Sequence, residues 1–152
     1  MRIGVISDTH GLLRPEALSA LEGVELIVHA GDVGDPEILD RLKRIAPVFA
    51  VRGNVDTEPW ARELPRTTMV EAEGANLYVL HNLRELDLKP AAAGCSAVIT
   101  GHTHQPEIVE KNGVLYLNPG SAGPRRFQLP ISLAFLDVQQ GKCRAEIVRL
   151  LE

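Results

Sequence analysis

The chain has 152 residues, 45% of them hydrophobic, and a formal net charge of −4 at pH 7. That length suits one domain over 1–152, with enough core to fold without staples. The acidic balance argues against a long nucleic-acid backbone as main partner, but admits a small phosphorylated ligand if metal ions supply local positive charge.

The first strand is expected to begin at Met1-Arg2-Ile3, and on that reading no signal peptide is expected. No apolar run approaches the roughly 20 residues of a membrane helix. Cys95 and Cys143 lack zinc-type or redox-type spacing and read as two small core residues in a reducing compartment. A cytoplasmic chain with no membrane partner is expected.

In chain order, Arg2 to Ser7 is a short apolar run ending in polar residues, the pattern of a buried strand. Pro15 to Leu21 is expected to be helical, with Pro in the first turn. Glu25 to Ala30 is a second strand. Asp35 N-caps a helix from Pro36 to about Ile45, and Pro47 to Val51 is a third strand. Strands alternating with helices imply βαβ units and a parallel sheet.

The second half changes character. Thr67 to Glu73 and Ala75 to His81 are strand-like around Gly74, a short helix is expected over Lys89 to Ala93, and Ala97 to Thr100 is another buried strand. Glu107 to Lys111 and Val114 to Leu117 flank Asn112-Gly113, a strong hairpin signal. Ile131 to Val138 and Cys143 to Leu150 flank a turn at Gln140-Gly141. The order predicts an α/β fold in which a two-sheet β-sandwich is flanked by helices.

Polar residues cluster directly after the apolar strands: Ser7-Asp8-Thr9-His10, Gly31-Asp32, Gly53-Asn54-Val55-Asp56, His81, and Gly101-His102-Thr103-His104. Carboxyl ends of strands are where open α/β sheets bind ligands. If these stretches are extended, Asp8 and His10, and likewise His102 and His104, each point the same way. Imidazole nitrogen with carboxylate or amide oxygen and no thiolate suits manganese, iron, nickel or zinc better than calcium or magnesium. Asp32, on a central strand end, has the two oxygens needed to bridge ions about 4 Å apart. His29, two residues before Gly31, is either a partner that orients a ligand or a packed histidine. Arg125 or Arg126 is either a phosphate contact or a solvated pair. Trp60 reads as packing.

These motifs resemble the calcineurin-like metallophosphoesterase superfamily, closest to its small single-domain bacterial and archaeal phosphodiesterases. The likeness runs from Ile3 to about Arg126 through five ordered motifs. It implies a four-layer αββα sandwich. It also implies that Asp8, His10 and His104 hold one divalent ion, that Asn54, His81 and His102 hold a second, and that Asp32 bridges them. Two ions are therefore expected, manganese first, with nickel, iron or zinc as alternatives. A water or hydroxide shared by the ions would attack phosphorus in line, and Asp32, Asn54 and His81 would serve catalysis as well as ligation. Asp56 closes the third motif and is expected to support the ligands. Asn118-Pro119-Gly120-Ser121 resembles a family turn near the site and reads first as a plain tight turn.

Two positions depart from the pattern. Val55 stands where many relatives have a His that helps the leaving group, and Asn82 stands where Gly is usual. The expected function is hydrolysis of a small phosphate ester, a phosphodiester first. The alternative is a metal-stabilised scaffold or interaction module with little turnover, which the intact ligand set disfavours. A homo-oligomer is compatible with the sequence.

Overall fold

From Ile3 onward the first strand is buried on both faces, as its unbroken apolar run requires. The computed structural model describes residues 1–151. In chain order the elements are β1 (Arg2–Ile6), α1 (Pro15–Ala20), β2 (Leu26–His29), α2 (Pro36–Lys43), β3 (Val48–Ala50), a 3-10 helix (Pro59–Glu63), β4 (Thr67–Ala72), β5 (Ala75–Leu80), a 3-10 turn (Leu83–Glu85), β6 (Ala97–Ile99), β7 (Glu107–Lys111), β8 (Val114–Asn118), β9 (Ile131–Gln139) and β10 (Lys142–Leu151).

Two five-stranded sheets result, in the orders β10-β9-β1-β2-β3 and β4-β5-β6-β8-β7. β1, β2 and β3 pair in parallel, while β9 returns antiparallel to β1 and carries β10. In the second sheet, β4 with β5 and β7 with β8 are antiparallel hairpins, but β5, β6 and β8 run parallel. The hairpins are the expected ones, and both sheets are mixed.

Alternation sorts the side chains into layers. Ile3 and Val5 of β1, with Leu26 and Val28 of β2, meet Leu77, Val79, Ala97 and Ile99 of the other sheet, forming the core between sheets. Ile6 and Ile27 face the opposite way, against Ala17 and Leu21 of the α1 segment and Ile38, Leu39 and Leu42 of α2. Each fully buried aliphatic side chain contributes about 1.5–3 kcal/mol. Asp35 caps α2 by accepting from the Glu37 N–H at 2.9 Å, and Pro occupies the first turn of both helices.

The outer face of the second sheet is covered differently. Tyr78, Leu80 and Val98 lie under Leu86, Leu88 and Cys95 of the connection between β5 and β6. The helix expected over Lys89–Ala93 is a hydrogen-bonded turn, closed by Ala93 N–H to the Lys89 carbonyl at 2.9 Å and ended by Gly94 at φ +79°. Five residues with three alanines offer neither length for nucleation nor an apolar stripe to bury.

The carboxyl ends of β1, β2 and β3 meet those of β5 and β6. Asp8 N–H donates to the Gly31 carbonyl at 3.0 Å, and Gly101 N–H to the His81 carbonyl at 2.9 Å. His102 N–H reaches across the sheets to Asp8 Oδ2 at 3.1 Å.

Candidate metal centre

At that shared edge the segments leave extended geometry. Asp8 (φ 57°), His10 (φ 47°), Asp32 (φ 56°), His102 (φ 74°) and His104 (φ 63°) all take the left-handed conformation. Non-glycine residues there cost on the order of 1–3 kcal/mol each and gather at functional sites. The expectation that i and i+2 converge through extended backbone is therefore corrected: tight left-handed turns aim these side chains. The correction matters most for His102 and His104, which part company. His104 Nε2 faces Asp8 Oδ1 at 3.4 Å, with its ring 5.3 Å from that of His10. The His102 ring lies 5.2 Å from His81, and His102 Nδ1 is 3.3 Å from Asn54 Oδ1.

Each carboxylate has one oxygen anchored and one facing the imidazoles. Asp8 Oδ2 accepts from Ser7 Oγ at 2.7 Å and from the His102 N–H, while Asp8 Oδ1 faces His10 Nε2 at 3.7 Å and His81 Nε2 at 3.9 Å. Asp32 Oδ1 accepts from the Val55 N–H at 3.0 Å, while Asp32 Oδ2 faces His81 Nε2 at 3.1 Å and His10 Nε2 at 3.5 Å. His81 Nδ1–H donates to the Ala30 carbonyl at 2.7 Å, which turns Nε2 toward the cluster. Asp8, Asp32, His81 and His104 are buried; His10 and His102 are half-buried and Asn54 is exposed.

The electrostatics follow from this crowding. Burial works to raise the Asp8 carboxyl, but the imidazoles of His10, His104 and His81 outweigh it and hold the group well below the usual carboxylate range. Burial likewise opposes ionisation of Asp32 and protonation of His81, yet their mutual contact lowers Asp32 and raises His81.

A metal fits this donor set. Asp8 Oδ1, His10 Nε2 and His81 Nε2 are buried with no hydrogen-bond partner, and they face one another. Buried polar atoms are seldom left so unless an ion or an ordered water completes them, and two carboxylates converging with imidazoles suit an ion. The ligand atoms of Asp8, His10 and His104 lie within 4.8 Å of one another, as do those of Asp8, Asp32 and His81.

Close packing dictates the glycines here. A Cβ at Gly53 would collide with the carboxylate and main chain of Asp32, and one at Gly101 would strike Ser7 Oγ and come within 2.7 Å of Asp8 Oδ2.

The remaining candidates separate clearly. Asp56 touches no imidazole; its buried carboxylate accepts from the Gly53, Gly34 and Val33 N–H groups at 2.9, 3.0 and 3.2 Å, binding the Asn54 turn to the Asp32 turn. His29 is fully buried and lowered to about 4, chiefly by that burial. It packs and also supports: Nδ1 accepts from the Gly31 N–H at 3.1 Å, and Nε2–H meets Thr9 Oγ1 at 3.0 Å. Arg125 donates to the Leu129 carbonyl at 3.2 Å within its own loop, whereas Arg126 lines a groove of about 600 Å³ beside His102.

Sequence reasoning underrates the turn after β8. Asn118 Nδ2 donates to the Gly101 carbonyl at 2.9 Å and to Thr103 Oγ1 at 3.1 Å, and Ser121 Oγ donates to the Asp8 carbonyl at 3.0 Å. This turn holds two of the turns that carry candidate ligands in register. Its signal in the sequence is two polar residues, Asn118 and Ser121, bracketing Pro-Gly.

The profile of the calcineurin-like phosphoesterase superfamily domain matches residues 1–141. A probable metallophosphoesterase of Methanothermobacter thermautotrophicus is 41% identical over 164 residues, covering 98% of this chain and 92% of that protein. The structure of a novel archaeal phosphodiesterase aligns at TM-score 0.80 and 25% identity, over 97% of this chain and all (100%) of the other. Wild-type Vps29 of Entamoeba histolytica complexed with zinc has the same fold, at TM-score 0.76 and 23% identity over 99% of this chain and 100% of that one. Among the described residues no helix is long and apolar enough to cross a membrane.

Proposed function

The chain belongs to the calcineurin-like phosphoesterase superfamily, whose members hydrolyse phosphate esters with divalent metals, and on that premise we propose that it cleaves phosphodiesters at a centre for two cations. Asp8, His10 and His104 would hold one ion, Asn54, His81 and His102 the other, and Asp32 both. The observation that carries the reading is the set of buried, unpartnered atoms Asp8 Oδ1, His10 Nε2 and His81 Nε2. Asp32 Oδ2 supports its bridging role, because it faces one imidazole from each proposed set. When bound, the ions supply positive charge that draws in the phosphate and lowers the pKa of water between them.

The protein's own contribution is orientation. The anchored oxygens of Asp8 and Asp32 fix the planes of both carboxylates, and the Ala30 carbonyl fixes the His81 tautomer. With only two carboxylates against two divalent ions, the occupied centre stays electropositive despite the acidic chain. The donor set suits manganese, nickel, iron or zinc better than calcium or magnesium, and manganese is the ion proposed first.

The test is turnover of aryl phosphodiesters and monoesters by metal-stripped protein re-supplied with manganese, nickel, iron or zinc. At least one ion should restore diester hydrolysis. No hydrolysis with any ion, together with no thermal shift on metal addition, would reject the proposal.

A further inference from the structure

Beside the His81 end of the cluster lies a cleft of about 330 Å³ whose lining includes Arg52, Asn54, Arg66, His81, Asn82 and Glu85. The two arginines have no part in the reading above. The Arg52 N–H donates to the Pro65 carbonyl at 2.8 Å, which brings the start of β4 against the end of β3, and both arginines line the cleft. Among the described residues neither guanidinium forms a salt bridge, and Arg52 Nε is buried without a hydrogen-bond partner.

The acids nearby do not answer this charge. Asp56 also lines the cleft, but its carboxylate is committed to three backbone N–H groups. Glu85 is exposed and pairs with neither arginine. A planar guanidinium with unmet donors matches two oxygens of a carboxylate or phosphate. Because Asn54 and His81 belong both to this cleft and to the proposed metal set, an anion held here would adjoin the ester being cut.

We propose that the Arg52–Arg66 cleft is an anion subsite, so that the preferred substrate is a phosphodiester carrying a second negative charge, carboxylate or phosphate, on one ester arm. This rests on the phosphodiesterase reading and names its substrate class.

The test uses manganese-loaded protein and 4-nitrophenyl phosphodiesters whose other arm is ethyl, 2-carboxyethyl or 2-phosphonoethyl; the last two separate the two anion types. Arg66→Gln and Arg52→Gln should lower kcat/KM for a charged-arm ester about 10–100-fold, mainly through KM, and that for the ethyl ester by less than about threefold. Arg66 is exposed, so its variant carries the test if the Arg52 variant fails to fold. Equal losses for ethyl and charged arms, or no loss for either, would overturn the subsite. If the wild-type chain cuts no diester with any ion, the phosphodiesterase reading fails by itself and the subsite is read by calorimetry. Methylenediphosphonate should then bind the wild-type chain about 10-fold more tightly than Arg66→Gln, and equal affinities would overturn the subsite.

Discussion

The Val55 main-chain N–H donates to Asp32 Oδ1 at 3.0 Å, while the residue itself is 45% exposed. Position 55 therefore serves the site through its backbone and leaves no proton donor where many relatives carry an imidazole. Asp56 cannot substitute, because its carboxylate already accepts from three N–H groups.

The first prediction follows directly. General-acid help to a leaving group is typically worth about 10²–10⁴-fold. Without it, the rate should depend steeply on leaving-group pKa, with aryl esters cut well and alkyl esters poorly. Val55→His should help the poorest leaving groups most. A flat dependence, with chemistry shown to be rate-limiting, would mean that another acid operates.

Metal stoichiometry gives the second. Protein purified with manganese should approach two ions per chain by elemental analysis. Asp32→Asn should lose activity and weaken both positions, whereas Asn54→Ala should mainly empty one. Near-normal turnover with two ions in Asp32→Asn would remove Asp32 from the bridge.

The third concerns His29. His29→Ala should cost about 10–100-fold in activity with both ions retained, as expected for a residue that positions ligands through Thr9 and Gly31. His104→Ala should lose activity by orders of magnitude and an ion with it. Equal severe losses, with metal gone from both variants, would make His29 a ligand.

The fourth is a pH dependence of stability. His29 is lowered from 6.5 to about 4 in the folded chain, so between those values the unfolded chain binds a proton that the folded chain refuses. Its contribution is complete above pH 6.5 and fades as pH falls toward 4, by up to roughly 3 kcal/mol. His81, raised by Asp32, acts with the opposite sign: its contribution is complete below 6.5 and fades as pH rises through its folded value. Urea titrations of metal-free protein should therefore show a shallower acid loss in His29→Gln than in the wild type. Parallel curves would count against this assignment.

The fifth is structural. Asp56→Ala strands three backbone donors in a buried turn and should destabilise the chain by about 3 kcal/mol or more. Activity should fall further than stability alone explains, since the Asn54 and Asp32 turns lose their tie. Unchanged urea midpoints would show that water satisfies those donors.

Much of this site can be read from the chain, because its candidate ligand residues interrupt apolar runs at strand ends, and such interruptions are visible in any hydrophobic pattern. The same pattern gives β1 to β3, both helices and the three hairpins. The way the ligands converge is hidden. Asp and His are enriched in left-handed backbone but still adopt it in a small minority of cases, so His102 and His104 look like a pair in sequence and diverge in space. The parallel pairing of β5, β6 and β8 is also hidden, since it joins strands whose connections lack α-helices. Asn118 and Ser121 look like turn residues because their partners, Gly101 and Asp8, are remote in sequence.

The residues at the shared edge come from both sheets: Asp8, His10, Asp32 and Asn54 follow β1, β2 and β3, while His81, His102 and His104 follow β5 and β6. An ion gripped by both groups is a rivet through one end of the sandwich, and its binding energy becomes folding energy. The other end has a different fastening, where the Gly141 N–H of the β9–β10 turn donates to the Glu73 carbonyl of the β4–β5 turn at 2.8 Å. Stripping the metal should then let the halves gape at the proposed metal edge while the far end stays shut. Hydrogen exchange would register that as faster labelling of residues 8–11, 31–34, 53–56 and 101–104, with the hairpin tips at 73–74 and 140–141 unchanged.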